Sequence, residues 1–190
     1  MKYFHFHAPN YPHWDIQLAS LPCQGHTKQG LQCKRKVVIG LPFCFQHTQS
    51  ILHLKVKTST IPNAGLGLFA YDNTKGVNDV VFLRNTDICP YYGNIIDKVE
   101  LDRRYGNYTA PYAIEISKNR IEDGAAKRGI GSLINHKPTA QTNCRFINNR
   151  RFITISSTKN IKNGQELFIN YGRAYRFEHN YSTNTHKTNI

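Results

Sequence analysis

The sequence predicts a mostly β domain, β-rich α+β in class, with many short strands and little helix, behind a small cysteine-histidine module. Three observations carry this. Apolar and polar residues alternate over short runs instead of recurring at the helical period. The runs are separated by Gly, Pro, Asn and Asp turn signals. Three of the five cysteines, with a histidine, fall together between residues 23 and 47.

In order along the chain, residues 1–22 are rich in aromatics, histidine and proline (Tyr3, Phe4, His5, Tyr11, Trp14) without a period, and read as an irregular arm. Residues 23–50 form the small module, whose charged residues Lys28, Lys34, Arg35 and Lys36 are all basic. The main domain spans 51–176. Leu52–Lys57 alternates as a strand does, Pro62–Gly67 is a turn, Asp79–Phe82 begins a second strand and Ile88–Ile96 is a third. Asp97–Tyr105 reads as a short helix and Tyr112–Ile116 alternates again. Arg151–Ser156 and Glu166–Tyr171 are β-rich, each after a turn signal, Asn148-Asn149 and Asn163-Gly164. Residues 177–190 are a polar tail expected to fray.

A length of 190 residues allows one domain plus a small module, and 39% hydrophobic content supplies a core. No window holds the roughly 18 consecutive apolar residues of a membrane span. The start, Met1-Lys-Tyr-Phe-His-Phe-His, lacks a secretory apolar run. The expectation is an intracellular protein, not secreted, with no membrane partner. A net charge of +13 points to an anionic partner, nucleic acid or something bound to it; simple solubility is the plain alternative.

Cys23, Cys33, Cys44 and His47 have the spacing C-x9-C-x10-C-x2-H. Thiolates and imidazole suit tetrahedral Zn2+, and so short a segment has little core of its own, so metal would supply much of its folding free energy. His26 is a spare ligand. The alternative is three buried free cysteines and a surface histidine. Cys89 and Cys144 read as core thiols. The Lys34-Arg35-Lys36 run faces either phosphate or solvent beside a protein docking surface.

Four further strings stand in a fixed order: Gly65-Leu-Gly-Leu-Phe-Ala70, Tyr91-Tyr-Gly93, the apolar run ending in Asn135-His136, and Gly164-Gln-Glu-Leu-Phe-Ile-Asn-Tyr-Gly172. Together they resemble the SET-domain family of protein-lysine methyltransferases, over about two-thirds of the chain. The module resembles a cysteine-histidine unit of large-virus proteins, and the minimal domain resembles compact viral and bacterial members. The resemblance implies a SET-domain β-clip of short curved sheets, closed where the C-terminal segment and the Asn135-His136 region form a pseudoknot.

The chemistry so implied has clear needs. Only about one lysine amine in a thousand is neutral near pH 7, so a site must desolvate it and align it with the methyl group. The resemblance assigns the catalytic role to Tyr171 with Tyr91, and the channel lining to Tyr112, Phe146 and Ile169. It assigns S-adenosylmethionine to Gly65, Leu66, Gly67, Asn135, His136 and Tyr171. Asp123 and Asn143-Cys144 also match family positions. Ser132, Lys137-Pro138 and Asn170 depart from the pattern, and no cysteine follows Cys144, so Tyr175, Phe177 or Tyr181 closes the channel instead.

The implied function is a protein-lysine N-methyltransferase acting on histone in nucleosomes. DNA would meet the basic surface while Glu115 or Glu122 faces the tail; nuclear, chromatin or viral-factory association would follow. A homodimer is worth testing. A non-histone basic protein is another substrate. The rival class is a non-enzymatic, zinc-containing nucleic-acid or chromatin-binding module on a degenerate SET scaffold.

Overall fold

The computed structural model describes residues 2–3, 17–18, 20–38, 40–106, 110–173 and 175. Most of the arm, together with Phe177, Tyr181 and the 177–190 tail, lies outside the described residues. Strands β1 (Lys2–Tyr3) and β2 (Gln17–Leu18) pair antiparallel, as do β3 (Ser20–Pro22) and β4 (Lys36–Val38). Helix α1 (Phe45–Leu52) leads into the hairpin of β5 (Leu54–Thr58) and β6 (Leu66–Ala70). Then come β7 (Val80–Phe82), β8 (Asp87–Tyr91), β9 (Asn94–Ile96), α2 (Lys98–Tyr105), β10 (Ala113–Ser117) and β11 (Arg120–Asp123). The chain ends in β12 (Asn135–His136), β13 (Cys144–Asn148), β14 (Ile153–Ser157), β15 (Ile161–Lys162) and β16 (Phe168–Ile169). Among the described residues no helix is long and apolar enough to cross a membrane.

Two three-stranded sheets, β13-β14-β8 and β10-β11-β9, and several two-stranded ladders enclose one core. Its fully buried side chains include Leu54, Leu68, Ile134, Ile153, Ile155, Ile161, Leu167 and Ile169. All five residues of the central β14 are buried. Its polar members must therefore bond: Ser157 Oγ donates to the Leu83 carbonyl at 2.6 Å and Ser156 Oγ to that of Thr86 at 3.2 Å.

Several elements differ from the sequence expectation. Helix α1 was not anticipated, because Thr48 is its one buried residue while Phe45 and Ile51 are exposed, so it carries no apolar stripe. His53, left-handed at φ 52°, ends it, which delays the expected strand at Leu52 to Leu54. The single strand expected at Ile88–Ile96 is two, broken at Tyr92-Gly93. A Cβ on Gly93 would lie 2.4 Å from the Asp123 carbonyl, so the backbones meet there. The expected helix forms, with Asp97 as N-cap accepting from the Glu100 amide at 2.8 Å.

Candidate active site

The last pairing of the chain builds the site. β12 and β16 run parallel, with Asn135 opposite Phe168 and His136 opposite Ile169. The Lys137 amide donates to the Ile169 carbonyl at 3.0 Å. The Tyr171 amide donates to His136 Nδ1 at 3.0 Å, so this nitrogen carries a lone pair. Partial burial lowers the His136 pKa, in keeping with a neutral ring. The two rings lie 5.2 Å apart, and the Tyr171 hydroxyl donates to the Ile134 carbonyl at 2.7 Å.

Tyr171 also lines a narrow cavity of about 40 Å³, with Tyr91, Tyr112, Phe146, Ser132 and Tyr175 around it. The Tyr91 hydroxyl donates to the Tyr112 carbonyl at 2.8 Å, and Phe146 meets the Tyr91 ring edge-on at 5.9 Å. Tyr175 packs edge-on against Tyr171 at 4.8 Å, and the Arg128 guanidinium sits 3.9 Å over the Tyr112 ring. Burial pushes the hydroxyls of Tyr91 and Tyr171 well above the ordinary tyrosine range. Both are neutral at physiological pH. Since Tyr171 donates its proton to Ile134, its oxygen could meet a ligand only as an acceptor. Ile169 does not join this lining. It is 1% exposed and packed in the core, so the reading of Ile169 as a channel residue is corrected.

The glycine strand lies beside the same pairing. Gly65 has φ +72°, and a Cβ on Gly67 would fall 2.1 Å from Glu166 Oε1. Leu66 is half exposed, and its carbonyl accepts from Asn135 Nδ2 at 3.0 Å. Glu166, whose role sequence reasoning missed, joins these parts. It accepts from Ser59 Oγ at 2.7 Å, Thr60 N at 2.7 Å, Thr60 Oγ1 at 2.6 Å and Asn135 Nδ2 at 3.2 Å. Burial alone would raise its pKa, but these donors, Thr60 first, bring it below the usual value and keep it ionised. Asn143 bridges the strands, donating to the Glu166 carbonyl and accepting from the Phe168 amide, each at 2.8 Å. Asp123 is wholly buried and accepts from Tyr105, Arg104 and the Ala125 amide; it anchors α2.

The model of the SET domain family matches residues 65–172, more than half of the chain. The chain belongs to the SET domain family. Solved structures agree in fold. One is ctPRC2 in an autoinhibited conformation bound to S-adenosylmethionine, with TM-score 0.51, 24% identity, 65% of this chain covered and 16% of that one. Another is the Chaetomium thermophilum polycomb repressive complex 2, with TM-score 0.50, 24% identity, 64% of this chain covered and 15% of that one. The SET-domain chain thus spans about a sixth of the length of these relatives. No curated protein matches it.

The departures from the family pattern are accommodated locally in this SET domain. Ser132 Oγ donates to the Gly129 carbonyl at 2.8 Å. Asn170 donates to Thr139 Oγ1 at 3.0 Å and accepts from the Gly172 amide at 2.7 Å, closing the turn that follows Tyr171. Cys89 and Cys144 are buried thiols; burial pushes Cys144 up to about 12.

Ahead of the SET domain, the donor atoms of Cys23, Cys33, Cys44 and His47 lie within 4.8 Å of one another. His47 Nδ1 is 3.2 Å from Cys23 Sγ and 3.5 Å from Cys44 Sγ. Its Nε2 lies 2.8 Å from the His26 carbonyl, which can only accept, so Nδ1 carries the lone pair aimed at the sulfurs. His26 supplies this carbonyl, and its imidazole is outside the cluster. Amides of Gly25 and Cys44 donate to Cys23 Sγ at 3.4 and 3.1 Å. Burial raises the Cys44 thiol, but hydrogen bonds from the His47 backbone and Arg35 bring it down to about 6. A Cβ on Gly25 would strike the His47 ring at 2.4 Å, so glycine is required there. A compact set of three thiols and one oriented imidazole suits four-coordinate zinc.

Proposed function

We propose that this SET-domain protein is a protein-lysine N-methyltransferase using S-adenosylmethionine, with Zn2+ held by Cys23, Cys33, Cys44 and His47. One observation carries the reading. Tyr171 both lines the tyrosine cavity and is held through its amide by His136, beside Asn135 and the Gly65–Gly67 strand. S-adenosylmethionine would supply an electrophilic methyl on its sulfonium, retained by these backbone and side-chain groups. The chain's own residues do the rest. The cavity is too narrow for a hydrated ammonium, so entry strips water and favours the neutral amine. The lone pairs of the Tyr171 hydroxyl and the Ile134 carbonyl orient that amine, and the departing proton passes to solvent.

Tyr171→Phe is expected to lower methyl transfer at least a hundredfold, while the loss of its hydrogen bond to Ile134 lowers the melting temperature by only a few degrees. Wild-type turnover by this variant would overturn the assignment of Tyr171.

For substrate we propose histone within nucleosomes, which would bring the enzyme to chromatin. The support is charge: a +13 protein repels a free basic tail but is drawn to DNA. An open groove lined by Lys98, Glu115, Lys118, Tyr171 and Tyr175 adjoins the cavity, and Glu115 is its exposed acid. Glu122 faces no tail. It is 4% exposed, with Oε1 accepting from the Gly93 amide at 3.1 Å, which corrects the sequence reading. Activity on nucleosomes is expected to exceed that on free histone peptide more than tenfold and to fall steeply with salt. Equal rates on both would remove the nucleosome reading.

A further inference from the structure

Two open grooves meet at Tyr71. One runs along the cysteine-histidine module past Lys28, Lys34 and Arg35; the other runs along the β5–β6 hairpin past Lys55, Lys57 and Lys162. Tyr71 lines both. Among the described residues no acid lines either groove. Acids close to Tyr71 in the chain are occupied: Asp72 accepts from Thr74 and faces His53, and Asp79 accepts from the Gly76 amide. Lys28, Lys34, Lys55, Lys57 and Lys162 make no ion pair with described residues.

The lysines of the hairpin are also steered. Lys55 Nζ rests 4.4 Å over the Tyr71 ring and Lys57 Nζ 4.6 Å over Phe69. They leave β5 on the same face, about 7 Å apart. Along the module groove the neutral polar Gln32, Gln46, Gln49 and Asn73 interrupt a largely apolar wall. A series of unpaired point charges separated by amide donors is matched to an evenly charged polyanion. It holds a backbone and does not read bases, because lysine lacks the fork that recognises a base edge and Arg35 already donates to Gln46 and Cys44.

We infer that the module and the β5–β6 hairpin form one continuous track for the phosphate backbone of nucleic acid, spanning Lys28, Lys34 and Arg35 at one end and Lys55, Lys57 and Lys162 at the other. It rests on the nucleosome reading for its role, and gives that reading a surface. The track sets position and affinity without sequence preference.

The test uses the full chain loaded with zinc, without methyl donor, and a fluorescent mixed-sequence DNA duplex followed by anisotropy between about 50 and 200 mM salt. Each neutralised phosphate contact contributes a slope of about 0.9 in log affinity against log salt. The pairs Lys28→Gln with Lys34→Gln, and Lys55→Gln with Lys162→Gln, should each flatten the slope by about 1.8, and all four together by about 3.6. Arg145→Gln with Arg151→Gln, the same charge change on β13 and the turn before β14, should leave it unaltered. The track is refuted if the control pair flattens the slope equally, if only one end contributes, if polyglutamate competes as well as DNA, or if binding is absent. Methylation of nucleosomes and free peptide, measured in parallel, separates the two readings. Equal rates with the DNA pattern intact refute the nucleosome substrate and leave the track standing.

Discussion

Glu166 carries a full charge into a nearly sealed position because four donors surround it. Its folded pKa lies below its unfolded value, so its contribution to stability is present above the unfolded value, near 4.5, and is lost as pH falls through the folded one. Glu166→Gln should therefore lower stability at neutral pH by about 1–3 kcal/mol. It should also flatten the loss of stability that the wild type shows on acidification below about pH 5. Thermal melts across that range check both; parallel wild-type and variant curves would sink the argument. Glu122 has the opposite sign, since burial raises its pKa and its ionisation opposes folding. Family pattern picks out Asn135, His136 and Tyr171, and the structure brings these three together along β12 and β16. Glu166 and Asn143 hydrogen-bond across distant segments, and nothing in their spacing shows which loop they will meet.

The strands were legible in proportion to how one-sided their burial is. β10 keeps an exposed Glu115 beside a buried Ile116 and alternates visibly. β6 is buried on both faces from Gly67 onward, so its Gly-rich apolar run reads as a turn. β11 inverts the usual pattern, burying Glu122 and Asp123, and so is not picked out as a strand by its sequence. The break between β8 and β9 belongs to this scale as well. Gly93→Ala drives a Cβ into the Asp123 backbone, which cannot retreat without moving β11. We expect a loss of about 3 kcal/mol and a melting temperature roughly 6–12 °C lower, measured by calorimetry. An unchanged melting temperature would show that this contact yields freely.

For the molecule as a whole, two apolar clusters of unequal size matter. The smaller holds Cys23, Cys33, Val37 and Cys44, with Leu41 and Phe43 against it, and Leu41 also touches the main core. Four buried residues do not offset the ordering entropy of a module this long. A strong chelator should therefore abolish module structure and the module's share of the DNA slope, leaving the share of Lys55, Lys57 and Lys162, while the SET core keeps a cooperative transition at somewhat lower temperature. Titration of freed zinc and thiols alongside the melt checks it; an unaltered melt with no zinc released would exclude a structural metal. Cysteine spacing made the Cys23–His47 cluster visible in the sequence. How the module is seated beside β5 was not visible, since α1 contacts it without an apolar stripe.

The parallel pair β12–β16 has a consequence in time. Each partner has two residues, and the intervening chain contains all of β13, β14 and β15. So small a contact cannot pull in so long a loop by itself; closure must wait until the β13-β14-β8 sheet has brought the ends together. Tyr171 and His136 therefore meet only after that sheet has formed. Damage to the sheet would then reach this contact even where neither residue is altered.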